Sequence, residues 1–245
     1  MNRIYGQVNM RKNKLVYLVS NVVLLIMTVT IGALTLGGAK EVSQPVSAKP
    51  YYGGDTSGDR VALMINVYWG TEYLVPMLDE LDKAGAKCTF FVGGSWARAN
   101  SEVLSEIVNR GHEIGNHGYS HLDHSKMSAE KNIAEIQKCE SVVQEITGIK
   151  TTLFAPPSGA QASRAVQSAQ SIGYKTIMWS RDTIDWRDKD ADIIYKRATS
   201  GIKAGDFVLM HPTKATLEAL PKILAQITFL GFRASSVSEC LSYEF

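Results

Sequence analysis

The chain has 245 residues, of which 45% are hydrophobic and 20% charged. That is enough for one globular domain plus a shorter segment, and the composition rules out a disordered or fibrous protein. Lys plus Arg total 26 against 24 for Asp plus Glu, a net charge of +2, which argues against the basic excess of a nucleic-acid-binding domain.

Residues 15–39 carry no charged side chain, and Arg3, Arg11, Lys12 and Lys14 precede them. An apolar run of this length predicts a membrane-spanning helix, and the preceding cations place the N-terminus in the cytoplasm and the rest outside. A signal peptide cleaved after Ala48 is the rival reading. It is disfavoured because the run exceeds the roughly 7–15 residues of a signal core. Residues 1–14 then form a basic cytoplasmic segment, 40–59 a linker rich in Pro, Gly and Ser, and 60–245 the folded domain.

Beyond residue 60, short apolar runs alternate with helix-period stretches. Strands are predicted at 61–67, 88–92, 112–116, 152–155, 175–179, 206–210 and 232–237. Between them the helical pattern covers the segment from about Glu72, stopping at Gly85, then 101–111 with Ser101 as cap, the stretch from Ser128 to about Ile146, 163–171, 193–200 and 216–230. Such alternation implies a parallel sheet covered by helices, either a β/α barrel or an open doubly wound sheet. No GxGxxG or GxxxxGK[ST] occurs, so nothing supports a nucleotide site. Cys88, Cys139 and Cys240 form no CxxC pair, which excludes a zinc ribbon and a thioredoxin-like motif.

Candidate functional residues fall where predicted strands end. His117 and His121, in HGYSH, have a spacing that can present two imidazoles to one metal ion. His211 directly follows the DFVLM strand and is a candidate acid or base. Asp182 and Asp185, in DTIDW, are placed to orient His211, and Trp186 to wall a sugar-binding cleft.

Six stretches, VALMINVYWG, CTFFVGGSWA, GHEIGNHGYSH, LFAPPSG, MWSRDTIDW and GDFVLMHPT, together resemble the ordered motifs of the NodB-type polysaccharide deacetylases, carbohydrate esterase family 4. The first of them looks most like the sporulation-associated Gram-positive branch. The resemblance implies a distorted β/α barrel of seven to eight strands and metal-dependent hydrolysis of N-acetyl groups on cell-wall amino sugars, peptidoglycan or chitin-like. It implies a divalent metal, zinc or alternatively cobalt, held by His117 and His121 with Asn66 in the first-motif position. His211 matches the general acid and Ser158 the oxyanion position, with Trp69, Trp186 and Arg181 lining the substrate cleft. The implied partners are cell-wall polysaccharide and, through the N-terminal helix, the membrane, with no nucleic acid or nucleotide.

The chain departs from the family in two motifs. Where the family carries paired aspartates, this sequence has Asn66, Val67 and Tyr68, and the third-motif arginine is Ala155. An amide cannot accept a proton near neutral pH. The sequence favours an active hydrolase with a rearranged base, drawn from Glu72, Asp123, Asp182 or Asp185, in which Arg181 supplies the charge that Ala155 lacks. A weakened or inactive fold kept for glycan binding is the alternative, with Trp69, Trp96, Trp179 and Trp186 as stacking surfaces. In a third reading the protein is purely structural and the two histidines are incidental.

Overall fold

The computed structural model of the protein describes residues 16–30 and 49–241. Contacts divide the chain into two units, Met1–Ser47 and Ala48–Phe245. In the first, α1 covers 16–30. Among the described residues no helix is long and apolar enough to cross a membrane. The expected single-pass anchor and its N-in orientation are therefore corrected, and the rest of 15–39 lies outside the described residues.

The second unit grows from β1 (Arg60–Val67), whose run VALMINV is buried on both faces. Continuous burial is what a central parallel strand requires. It is followed by α2 (Thr71–Lys83), β2 (Thr89–Val92), α3 (Gly94–Ala99), α4 (Ser101–Asn109), β3 (Glu113–Asn116), α5 (Ala129–Thr147), β4 (Leu153–Phe154), α6 (Ser163–Ser171), β5 (Lys175–Thr176), β6 (Arg181–Asp182), α7 (Ala191–Thr199), β7 (Phe207–Met210), α8 (Lys214–Phe229), β8 (Arg233–Ser235) and α9 (Val237–Leu241). The strands form one sheet in the order β5-β4-β3-β2-β1-β7-β6, with β8 pairing β1. Every strand pair is parallel.

This is a parallel α/β half-barrel, open between β5 and β6, rather than a closed ring. The strap at residues 51–55 bridges the opening. Tyr51 N donates to Thr176 O at 2.9 Å, Met178 N to Tyr51 O at 2.7 Å, and Gly54 N to Gly205 O at 2.8 Å. Residues in the second half of the predicted linker, 40–59, are thus hydrogen-bonded into the domain.

Side-chain alternation splits the core in two. Leu63, Ile65 and Val67 of β1 pack with α2 and α8 residues in the outer core, together with Phe90, Val92, Val208 and Met210. Ala62 and Met64 face inward with Phe91, Ala155, Ile177, Phe207 and Leu209. Strand register carries this inner face across the sheet: Asn66 pairs with Phe91, Phe91 with Gly115, and Met64 with Leu209.

Three elements escape the sequence reading. α3 is an extra short helix, β6 lies between two predicted elements, and 232–237 divides into β8 and the start of α9. The expected Ser101 cap is corrected too: Ser101 is the first residue of α4, and Asn100 precedes it without a side-chain cap. Ser128 does cap α5, its hydroxyl accepting from Lys131 N at 3.3 Å.

Gly115 sits on the inner face, and a Cβ there would lie 2.3 Å from Cδ1 of Phe91. Gly115→Ala should destabilise the domain by about 1–3 kcal/mol, the usual cost of overpacking a core, read from its chemical denaturation midpoint. An unchanged midpoint would show that the inner face is loosely packed.

Candidate active site

A cavity of about 470 Å³ opens where the strands end. The period of two along each strand fills it. Asn66 continues Ala62 and Met64 of β1, His117 continues Gly115 of β3, His211 continues Phe207 and Leu209 of β7, and Trp179 continues Ile177, and all four line the cavity.

His117 is 2% exposed, and its Nδ1 donates to the Ala155 carbonyl at 2.7 Å. That bond fixes the tautomer and leaves Nε2 as the ring's acceptor. Burial, with a smaller contribution from neighbouring His121, pushes the His117 pKa down to about 3, so the ring is neutral at physiological pH. His121 stands edge-on to it with ring centroids 5.1 Å apart. Its backbone is left-handed, at φ 54°, and burial lowers its pKa.

The loop between these histidines is held by two residues that the sequence reading passed over. Asn116 Oδ1 accepts from Gly118 N at 2.9 Å, and Glu135 Oε2 accepts from Tyr119 N at 3.1 Å and Ser120 N at 2.7 Å. No local pattern marks Glu135, which reaches the loop from α5.

His211 is fixed from the other side. Its Nδ1 donates to Asp185 Oδ1 at 2.8 Å, and its backbone N–H to Oδ2 at 2.6 Å. Thr216 Oγ1 also donates to Oδ2 at 2.6 Å. Asp185 is fully buried, and both its oxygens are engaged, so it positions His211 and is badly placed to take a proton from water. The Trp69 indole lies parallel to the His211 ring, at 5° and 5.8 Å between centroids.

Asp182 and Ser158 also line the cavity, as does the exposed Trp186. Asp182 Oδ1 accepts from Ile184 N at 2.8 Å, closing a turn in which Ile184 adopts φ 54°. A β-branched residue in that region is strained.

Several expected residues lie elsewhere. Arg181 is absent from the cavity wall: its Nε pairs with Asp206 at 2.6 Å and an Nη donates to Ser200 O at 2.9 Å. It cannot supply the charge missing at Ala155. Trp96 is 5% exposed in the outer core, its Nε1 donating to Thr71 Oγ1 at 2.8 Å, so it offers no stacking face. Asp123 caps a turn, accepting from Ser125 N at 3.0 Å, and Glu72 lines a neighbouring cavity.

The residues fit a catalytic zinc poorly. Such a site takes three protein ligands and an open position. Here two imidazoles converge with the neutral Asn66 amide, and the Tyr68 ring stands 4.9 Å from His121 with its hydroxyl accepting from Ser95 Oγ at 2.8 Å. Among the described residues no group of three or more His, Cys, Asp or Glu is arranged to hold a metal ion.

Fold, cavity and motif positions together are those of the NodB-type polysaccharide deacetylase fold. The Polysaccharide deacetylase family model matches residues 53–177, and the chain belongs to that family. It is 37% identical over 198 residues to the uncharacterised Bacillus subtilis protein YlxY, covering 81% of this chain and 62% of that protein's length. A peptidoglycan-N-acetylglucosamine deacetylase of Bacillus cereus is 33% identical over 178 residues, covering 70% of this chain and 83% of the enzyme. The crystal structure of a family 4 pseudoenzyme from Bacillus anthracis matches with TM-score 0.78 and 36% identity, covering 80% of this chain and 70% of that one. A mutant of that pseudoenzyme with restored enzymatic activity matches with the same TM-score.

The donor set has a direct consequence for metal binding. Zinc titration of the wild-type protein should find no submicromolar site, and Asn66→Asp, which adds a carboxylate beside the two imidazoles, should tighten binding. Stoichiometric zinc on the purified wild type, lost in His117→Ala, would contradict this.

Proposed function

We propose that the domain binds an N-acetylated cell-wall glycan in this cavity and that its hydrolytic power is weakened or lost. The observation that carries this reading is Asn66. It sits where the family resemblance puts the base, is 5% exposed, and its Oδ1 has no hydrogen-bond partner. A buried acceptor without a donor is costly, and the acetamido N–H of a bound sugar offers one. As an amide, the same side chain cannot take the proton of an attacking water. The aromatic walls, Trp69, Trp179 and Trp186, remain and suit the faces of sugar rings. The likeness to a pseudoenzyme and to peptidoglycan deacetylases supports both halves of the reading, the retained glycan site and the reduced chemistry.

In the chemistry that remains, His211 is the group able to protonate a leaving amine. Asp185 holds its ring with Nδ1–H inward, leaving Nε2 for the cavity. Ser158 stands at the position the family uses to stabilise an oxyanion. The proton of an attacking water has no acceptor on the first motif.

One observation favours a second reading, a slow deacetylase: the Asp182 carboxylate shares the cavity with His117 and His211 and is the remaining candidate base. General-base assistance is worth typically about 10²–10⁴-fold.

The test measures glycan binding and acetate release together, on chitooligosaccharide and on peptidoglycan with added zinc, for wild type, Asn66→Asp, Asp182→Asn and His211→Ala. The expected outcome is glycan binding by wild type with little or no acetate, and more acetate from Asn66→Asp. Wild-type hydrolysis that Asp182→Asn lowers by about 10²-fold or more would establish the second reading. A wild type that binds no glycan would sink the first.

A further inference from the structure

A second cavity, of about 570 Å³, lies beside the first. Trp69 and Trp186 line both, and at 42% and 55% exposure they keep free indole surface to offer a ligand. A glycan chain seated at the first cavity therefore has a continuous aromatic path into the second.

The wall of the second cavity differs in character, because it carries Lys189 and Lys214 with Glu72, Glu218 and the fully buried Asp185, whose two oxygens are taken up by donors from His211 and Thr216. Lys214 is 3.7 Å from Glu218, so their charges are matched. Lys189 forms no ion pair among the described residues, and the acids flanking it in sequence are occupied. Asp188 pairs with Arg187 at 2.8 Å and Arg197 at 2.6 Å. Asp190 caps α7, accepting from Asp192 N at 2.9 Å and Ile193 N at 3.0 Å. An unmatched ammonium beside two exposed indoles is a partner for an anion attached to a sugar. Glu72 opposes that anion, so a ligand gains by keeping its charge on the Lys189 side.

We propose that the second cavity takes the neighbouring sugar of the glycan when that sugar carries a carboxylate, with Lys189 as the carboxylate's partner and Trp69 and Trp186 as the wall common to both subsites. This rests on the glycan-binding reading above and narrows it from neutral chitin-like chains to acidic ones. In peptidoglycan the carboxylate has two sources, the lactyl group of muramic acid and a peptide attached to it.

Calorimetric titration of the full chain separates these cases with three probes: chitobiose, the disaccharide of N-acetylglucosamine and N-acetylmuramic acid, and the same disaccharide bearing a tripeptide. At low salt an acidic probe should bind about two- to fivefold tighter than chitobiose, the scale of a solvent-exposed ion pair. The preference should fade as salt screens it, disappear in Lys189→Gln and grow in Glu72→Gln, while chitobiose affinity stays the same in both variants. Preference for both acidic probes assigns the lactyl carboxylate, and preference for the tripeptide form alone assigns the peptide. Equal affinity for all three probes, or a preference that survives Lys189→Gln, overturns the proposal and leaves glycan binding standing. Failure of every probe to bind overturns both.

Discussion

The site depends on the strict alternation of side chains along parallel strands held in register. Because Asn66, Phe91 and Gly115 share one face across β1, β2 and β3, and Met64 and Leu209 share it across β1 and β7, the next inward positions converge on one mouth. Those positions are occupied by Asn66, His117 and His211. A slip of one residue in any of these strands would turn its functional side chain into the outer core. The apolar interior beneath, Met64, Phe91, Phe207 and Leu209, is the cost-free part of this arrangement, and Gly115 is small because the Phe91 ring fills its place.

Upon that frame the polar groups divide into a completed half and an incomplete one. The His211 half is complete: Asp185 is buried with three donors upon it and the imidazole is aimed. The Asn66 half retains its histidines and their support from Ala155 and Glu135 but lacks the first-motif carboxylates. An amide in place of the family's carboxylate keeps the shape while removing the basic group, and Val67 and Tyr68 offer no counterpart to the family's second first-motif carboxylate. The buried amide oxygen then stands as an acceptor without a donor, a state that favours ligand binding over turnover.

Much of this was legible in the sequence because it depends on local pattern. Buried parallel strands read as apolar runs, so β1, β2 and β7 fell within a residue of the expected spans. The strand-end histidines and Asp185 were visible as motif positions. What escaped depends on contacts distant in sequence. Thr216 and Glu135 reach the site from α8 and α5 and carry no local signature. Arg181 and Trp96 looked functional by type, and only packing shows one neutralised by Asp206 and the other submerged in the outer core. The apolar stretch near the N-terminus read as a membrane span by its length and lack of charge, whereas among the described residues no helix is long and apolar enough to cross a membrane.

The central claim, that the cavity holds an acetylated sugar without cleaving it, is tested most directly by following the acetyl methyl resonance of a chitooligosaccharide by proton NMR in the presence of the protein and zinc. The account predicts that the methyl signal broadens and shifts on binding, and that free acetate stays at the level of a protein-free control. Rapid growth of the acetate line at the expense of the acetyl signal would contradict it.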